Sequence, residues 1–150
     1  MKAIYLVIIA ISAISASAFD MSADEAQFDT KRKVYSLVGN VKAKLNGKTF
    51  MADKIIIYMK KNGRDAKRVI ATGNVNYSDD KISVTAKNCE SDMFSVTFLK
   101  DVVIEGKKYG ILNADRIVYQ IKTGVVNITS KNRVKFVLDS SIETKLTKKK

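Results

Sequence analysis

The chain repeats itself with a period of about 30 residues. Three stretches are near-copies of one another: Leu37–Val41 (L-V-G-N-V), Ala71–Val75 (A-T-G-N-V) and Leu99–Val103 (L-K-D-V-V). A second signal, an alanine followed by a charged residue, runs out of phase with the first and begins at Ala23, Ala52, Ala86 and Ala114. These alanines are 29, 34 and 28 residues apart. A repeat of this length predicts units that bury their apolar faces only by stacking on their neighbours.

Apolar and polar residues alternate along most of the chain after residue 18. The segment Val41–Leu45 reads V-K-A-K-L, and the same period of two recurs in Val69–Tyr77. This period predicts β-strands with one buried face. Asn46-Gly47 and Asn62-Gly63 each predict a two-residue hairpin turn, because both central positions of such a turn need positive φ. We therefore expect an all-β fold, an elongated stack of locally connected antiparallel strands without a second domain.

The two repeated signals also predict which side chains face inward. Counting three and five residues on from each of the four alanines gives apolar or aromatic residues in every case except Ser91. The first signal supplies a second apolar set, which includes Leu37, Val41 and Val75. We expect both sets to face one interior that runs the length of the stack.

The first eighteen residues have the pattern of a signal peptide. Lys2 supplies a positive start, residues 3–14 are apolar, and 16–18 read A-S-A, a small-x-small cleavage site. The apolar run is shorter than the roughly 20 residues of a membrane span. An uncleaved single-pass anchor is the alternative. We expect a folded domain over 19–138 and a basic tail over 139–150, with the alternation of Val134, Phe136 and Leu138 favouring a last strand.

The composition narrows the classes of function. The net charge is +12, but predicted export and the scattering of the cations argue against a nucleic-acid partner, and an anionic lipid, glycan or membrane surface suits the charge better. Histidine is absent, which removes the commonest general base and metal ligand. Cys89 is the single cysteine, so no internal disulfide forms, and we expect a buried apolar filler.

The order of the two signals resembles the LptA/OstA family of periplasmic lipopolysaccharide-export proteins. The matching positions cover most of the chain after the signal peptide: Leu37, Gly39-Asn40-Val41, Ala52-Asp53-Lys54 with Tyr58, Gly73-Asn74-Val75, and Ala114-Asp115-Arg116 with Tyr119. The third repeat departs from the pattern, since Lys100-Asp101 replaces Gly-Asn and Lys87 replaces the aspartate.

The resemblance implies an open, elongated β-jellyroll that is V-shaped in section. Family members carry lipopolysaccharide through the periplasm by holding its acyl chains along an apolar interior. They join end to end by strand addition, with copies of themselves, with an inner-membrane anchored component and with the outer-membrane assembly protein. The resemblance implies no catalytic activity, no cofactor and no metal. An anchored inner-membrane member of the same pathway is the alternative if residues 1–18 are retained.

On this interpretation the side chains of the interior form the binding site. The lipid-binding candidates are Met21, Phe28, Leu37, Val41, Ile55, Ile57, Val75, Tyr77, Val84, Phe98, Val102, Ile104, Ile117 and Tyr119. The candidates for contact with an anionic head group are Lys42, Lys44 and Lys54. Charge-assisted hydrogen bonds from these lysines to phosphate are the expected interaction.

Two other classes remain as rivals. A jellyroll enzyme acting on glycans needs paired carboxylates, and the candidates Asp79-Asp80 or Glu90 with Asp92 lie in turn-like, lysine-rich sequence. A structural β-repeat protein would have a filled interior that holds no lipid.

Overall fold

A computed structural model describes residues 20–45, 47–63, 65–106 and 110–137. These residues contain ten β-strands and no helix: β1 (Asp20–Ser22), β2 (Glu25–Asp29), β3 (Val34–Leu45), β4 (Lys48–Met59), β5 (Ala66–Ser78), β6 (Ile82–Asp92), β7 (Ser95–Gly106), β8 (Gly110–Gln120), β9 (Val126–Thr129) and β10 (Lys135–Val137). The expectation of an all-β chain is confirmed.

All ten strands belong to one antiparallel sheet. Strands β3 to β8 follow one another in sequence order, so each pairs with the strand before and after it along the chain. At one end β1 and β2 both pair with β3, and at the other end β9 and β10 both pair with β8. The first and last strands do not pair with each other, so the sheet is open.

Every long pairing is interrupted near its middle. The register shifts between Val38 and Val41 in β3, and comparable shifts recur in each of the pairings from β4 to β8. The interrupted residues of β3 and β5 are Gly39-Asn40 and Gly73-Asn74, and all four have positive φ. Two consecutive residues in this conformation turn the strand sharply. The shifts line up across the sheet, and we call the line that joins them the fold line.

The fold line divides the sheet into two limbs. Limb 1 comprises 20–22, 41–45, 48–52, 75–78, 82–86, 102–106, 110–114 and 135–137, and limb 2 comprises 25–29, 34–38, 54–59, 66–72, 88–92, 95–99, 116–120 and 126–129. Buried residues of both limbs form one hydrophobic cluster. A single sheet cannot cover its own face, so burial of both sets requires the limbs to face each other. This gives the V-shaped section that the resemblance implied.

One detail of the predicted repeat is wrong. The third copy of the first signal is Phe98–Val102 and not Leu99–Val103, because the positive-φ pair there is Lys100-Asp101. The first predicted hairpin turn includes Asn46, which lies outside the described residues; the strands on either side of it are paired through Leu45 and Lys48.

The second predicted hairpin turn, at Asn62-Gly63, is wrong because its loop is longer. Met59 pairs with Ala66, which places residues 60–65 in the connection. Within this loop Lys60 donates its N–H to the carbonyl oxygen of Asp65 and accepts the N–H of Gly63. These bonds close a wider loop than the two-residue turn that the sequence predicted.

The strand predicted near the C-terminus is present as β10, in which Phe136 pairs with Leu112. Leu138 and the predicted tail 139–150 lie outside the described residues, as do the predicted signal peptide 1–18 and residue 19. No helix of the described residues is long and apolar enough to cross a membrane.

Candidate binding site between the two limbs

The bend at the fold line depends on a contact between neighbouring strands. Asn74 follows Gly73 on β5, and its amide donates a hydrogen bond of 2.9 Å to the carboxylate of Asp53 on β4. A Cβ on Gly73 would lie only 2.9 Å from the Cβ of Asp53, so the aspartate lies directly against the glycine. Position 73 therefore requires glycine for two reasons: its φ of 79°, and the close approach of the Asp53 side chain.

The same contact forms at the first bend. Asn40 donates to Asp24 across 3.0 Å, and a Cβ on Gly39 would lie 2.9 Å from the Cβ of Asp24. The N–H of Asp24 also donates to the carbonyl oxygen of Gly39. The two out-of-phase sequence signals are thus the two halves of one contact.

The third bend keeps the geometry with different residues. Lys100 and Asp101 have φ values of 66° and 51°, although neither is glycine or asparagine. Asp101 pairs with Lys87 across 3.0 Å, so the acid and its partner have exchanged strands. Both side chains are more than half exposed, and an ion pair of this kind contributes well under about 1 kcal/mol. The third bend is therefore held by a weaker contact around a more strained backbone.

At the fourth position Asp115 holds the chain between β9 and β10. Its carboxylate accepts the N–H of Lys131 at 2.7 Å and the hydroxyl of Ser130 at 3.1 Å. These hydrogen bonds lower the pKa of Asp115. From within β8, Asp115 thus holds the connection between β9 and β10 by one bond to a backbone N–H and one to a side-chain hydroxyl.

The bends bring the predicted lining residues together. Eleven of the fourteen are buried between the limbs: Leu37, Val41, Ile55, Ile57, Val75, Tyr77, Val84, Phe98, Val102, Ile117 and Tyr119. Ile104 is partly buried and pairs with Val84 and Leu112 on the same face. The lining is continuous, since buried residues follow one another from β3 to β8.

The middle of this interior is closed to solvent. The largest side chains there, Tyr77, Phe98, Ile55, Ile57 and Ile117, each expose at most 1% of their surface. Side chains of this size that are removed from water on every side pack against one another. These side chains therefore fill the middle of the interior, which is the feature that a structural β-repeat protein was also expected to show.

The interior becomes accessible at the edge formed by β1 and β2. Met21 pairs with buried Ala43, which places its side chain inward, and it is partly buried. Phe28 faces inward opposite Tyr35, and the two rings stack with centroids 4.1 Å apart. Phe28 is nevertheless 44% exposed, because no further strand of the described residues covers this end.

The other edge is similar. Val126 and Ile128 on β9 pair with the buried residues Tyr119 and Ile117, so they face the interior, and both are partly exposed. Among the described residues β9 and β10 pair only with β8, as β1 and β2 pair only with β3. Each edge therefore combines apolar inward side chains with backbone groups that lack a neighbouring strand.

Some buried residues were absent from the predicted lining. Phe50, Met59, Val69 and Val96 are all buried in the same cluster. Their positions continue the period of two from predicted neighbours, as Met59 continues Ile55 and Ile57. These residues could have been predicted as part of the lining by following the period of two along the full length of each strand.

The three predicted head-group lysines do not form one cluster. Lys42 and Lys44 alternate with buried Val41 and Ala43, so they lie on the outer face of limb 1. Lys54 precedes buried Ile55 and lies on the outer face of limb 2, across the fold line. Lys42 and Lys44 therefore lie together on one limb, and Lys54 lies on the other.

Burial keeps the Tyr77 hydroxyl and the Cys89 thiol protonated near neutral pH. Burial, and then a hydrogen bond donated to Asp79 across 2.8 Å, raise the pKa of the Tyr77 hydroxyl far above its ordinary value. Burial raises the pKa of the Cys89 thiol to about 12, which agrees with its expected role as an apolar filler. Within the described residues no buried side-chain oxygen or nitrogen lacks a hydrogen-bond partner, and no group of acidic, cysteine or histidine side chains could hold a metal ion.

The sequence profile of a lipopolysaccharide-transport domain matches this open antiparallel sheet, which is bent along one line around an apolar interior. The chain belongs to the family described as LptA/(LptD N-terminal domain) LPS transport protein, whose sequence profile matches residues 20–125. The resemblance seen in the sequence is confirmed. This is a family of transport proteins, in agreement with the expectation that the chain is not an enzyme.

A solved structure shares the fold. It is LptH from Pseudomonas aeruginosa, the LptA homologous periplasmic component of the conserved lipopolysaccharide transport device. The TM-score is 0.68 at 14% sequence identity, and the match covers 85% of this chain and 99% of LptH. No curated protein matches the sequence.

Proposed function

We propose that the chain is a periplasmic carrier that holds lipopolysaccharide by its acyl chains between the two limbs. The observation that carries the proposal is the continuous apolar interior, which runs from Met21 and Phe28 at one edge to Val126 and Ile128 at the other. Each CH₂ group kept out of water contributes about 0.8 kcal/mol. An interior lined by aliphatic and aromatic side chains keeps acyl chains out of water. It makes no directional hydrogen bonds, so it does not require one particular acyl-chain conformation.

Acyl chains and the packed middle compete for the same space. Residues that expose at most 1% of their surface leave no room for a hydrocarbon chain unless the limbs move apart. The proposal therefore includes a separation of the limbs that begins at an edge, where Phe28 is already 44% exposed. The bend residues with positive φ lie where such a movement pivots.

The polar head group stays outside the limbs. Lipopolysaccharide carries phosphates, and Lys42, Lys44 and Lys54 offer charge-assisted hydrogen bonds to them. Because the three lysines lie on two limbs, one head group contacts either the pair on limb 1 or Lys54 on limb 2.

The open edges support end-to-end assembly. A strand added beside β1 and β2, or beside β9 and β10, would continue both the backbone ladder and the apolar interior. We propose the inner-membrane anchored export component, the outer-membrane assembly protein and further copies of this chain as the partners at these edges. Together they would bridge the two membranes.

Binding of purified protein to lipopolysaccharide tests the carrier. Lipopolysaccharide and a deacylated sample of it are titrated against the protein, with the heat of binding as the measurement. We expect binding to the acylated form alone. The deacylated sample keeps only the head group, and the candidate lysines for head-group contact are spread over two limbs. Equal binding to the deacylated sample would contradict a site made for acyl chains.

The membrane-anchored member of the same pathway is the second candidate. It is favoured by the apolar segment 3–14, and the predicted signal peptide 1–18 favours the soluble carrier. Mass spectrometry of the protein from its native cell separates them. A chain that begins at Phe19 supports the cleaved carrier, and a chain that retains residues 1–18 supports the anchor.

A further inference from the structure

Four hairpin turns lie side by side at the free edge of limb 2, opposite the fold line. They comprise residues 29–34, 59–66, 92–95 and 120–126, and we call them the rim. Backbone hydrogen bonds join the first turn to the second, from Met59 to Lys33, and the third to the fourth, from Ile121 to Phe94. The second and third turns lie at the ends of the paired strands β5 and β6, in which Arg68 pairs with Asp92, so the four turns form one row.

One half of the rim is basic. Five of the six cations among the described residues of the rim lie in this half, in the turns 29–34 and 59–66: Lys31, Arg32, Lys33, Lys60 and Lys61. The three acids of the rim are engaged in holding the turns. Asp29 and Asp92 each accept two backbone N–H groups of their own turn, and Asp65 accepts the amide of Asn62. The rim therefore carries more cations than acids, and the carboxylates of its three acids bond groups of their own turns.

The other half of the rim is apolar and exposed. Phe94 is 70% exposed, Met93 is 52% exposed, and both occupy the tip of the turn between β6 and β7. Val125 in the adjacent turn is 50% exposed. Hairpin tips usually carry Gly, Asn or Asp, and these side chains add nothing to the core. Their neighbour Lys122 is a cation at the same end.

We propose that the rim docks on a membrane surface rich in anionic phospholipids, with Met93 and Phe94 inserted among the head groups. Basic residues beside exposed aromatic and aliphatic side chains are the combination that binds such an interface. Charge complementarity selects this occupant, because the rim is cationic and the phosphates are anionic. The site is distinct from the interior between the limbs and goes beyond the carrier function.

Docking by the rim also orients the molecule. The rim runs along the stack of strands, so a molecule that sits on it lies with the stack parallel to the membrane and presents β2 and β9 beside the lipid, an orientation separate from the end-to-end bridge. The inward side chains Phe28, Val126 and Ile128 then lie close to the lipid surface.

Co-sedimentation with vesicles tests the proposal. The full chain is mixed with vesicles of phosphatidylethanolamine and phosphatidylglycerol, or of phosphatidylcholine alone, neither of which contains lipopolysaccharide. We expect binding to the anionic vesicles that is lost at high salt and little binding to phosphatidylcholine. Each cation near an anionic surface contributes about fivefold to the affinity, so Lys60→Gln with Lys61→Gln weakens binding about 25-fold. Met93→Ser with Phe94→Ser weakens it by about tenfold.

The control variant is Lys48→Gln with Lys81→Gln, which removes the same charge from the turns of limb 1. It is expected to change vesicle binding less than twofold, whereas equal losses in rim and control variants would overturn the proposal. Equal binding to phosphatidylcholine, or rim variants that alter self-association and leave vesicle binding unchanged, would also overturn it. All variants are expected to keep lipopolysaccharide binding, so failure here leaves the carrier function separately testable.

Discussion

The amide of Asn74 donates a hydrogen bond to the carboxylate of Asp53 on the neighbouring strand, across 2.9 Å. Asn40 and Asp24 make the same contact at the bend before it. The repeat that runs from Gly39 to Asp53 therefore contributes the glycine and amide to one bend and the acid to the next. The fold line is held by contacts between repeats, which explains why the two sequence signals run out of phase.

Gly73→Ala is expected to destabilise the fold more than Gly47→Ala. Both glycines have φ near 79°, so an alanine at either position costs about 1–2 kcal/mol in the backbone alone. At Gly73 the new Cβ would also overlap Asp53, whereas nothing lies within 4 Å of a Cβ on Gly47. Chemical denaturation measures both free energies of unfolding. Equal losses would contradict the close packing of Asp53 on Gly73.

Lys100→Gly is expected to stabilise the protein. The φ of 66° is unfavourable for lysine but not for glycine, so the substitution removes backbone strain from the folded state. Glycine also makes the unfolded chain more flexible, and the strain removed exceeds this entropic cost by roughly 0.5–1 kcal/mol. Lys42→Gly, in an ordinary strand position, is the control and is expected to destabilise by about 0.5–1 kcal/mol. A lower unfolding midpoint for Lys100→Gly would show that the third bend is not strained.

The stability of the turn between β5 and β6 is expected to fall in acid. Burial alone raises the pKa of Asp79, but hydrogen bonds from the N–H groups of Ile82 and Lys81 outweigh it, and the pKa lies below 3.8. The ionised carboxylate therefore stabilises the fold fully above the ordinary pKa, and this contribution disappears as the pH falls through the lowered value.

Urea denaturation between about pH 2 and about pH 6 measures this dependence. Asp79→Asn is expected to flatten the loss of stability in acid, whereas Asp80→Asn, at the adjacent exposed carboxylate, is expected to leave it nearly unchanged. The same acid slope in both variants would contradict the role assigned to Asp79.

Cys89 is expected to resist thiol reagents. Its side chain faces the interior at 6% exposure, and burial raises its pKa to about 12, so little thiolate forms near neutral pH. In the Glu90→Cys variant the new thiol faces outward and serves as an internal reference. Counting modified thiols over time is expected to show Cys89 reacting at least about tenfold more slowly. Comparable rates would mean that the limbs stand open in the free protein.

The sequence was sufficient for the strands and for most of the lining. The period of two places Ile55, Ile57 and Val41 on the inner face, and both signals converge on one interior as expected. These features can be predicted from the local sequence because successive side chains of a strand point to opposite faces, so an alternating pattern shows which residues face inward.

Features that depend on contacts between distant residues could not be predicted. Lys100 and Asp101 looked like a departure from the bend, since their partner Lys87 is known only once β6 and β7 are in register. Phe28 was placed correctly on the inner face, but alternation does not tell whether another strand covers it. Lys42 and Lys54 are close in sequence, yet the fold line separates them onto different limbs.

Photo-crosslinking in cells tests most directly whether acyl chains occupy the space between the limbs. A photoreactive residue is placed at Ile57 or Phe98, which face the interior, and at their outward neighbours Ile56 and Thr97 as controls. Adducts with lipopolysaccharide are expected from positions 57 and 98 and none from positions 56 and 97. No adduct from the inward pair, or equal adducts from both faces, would contradict it.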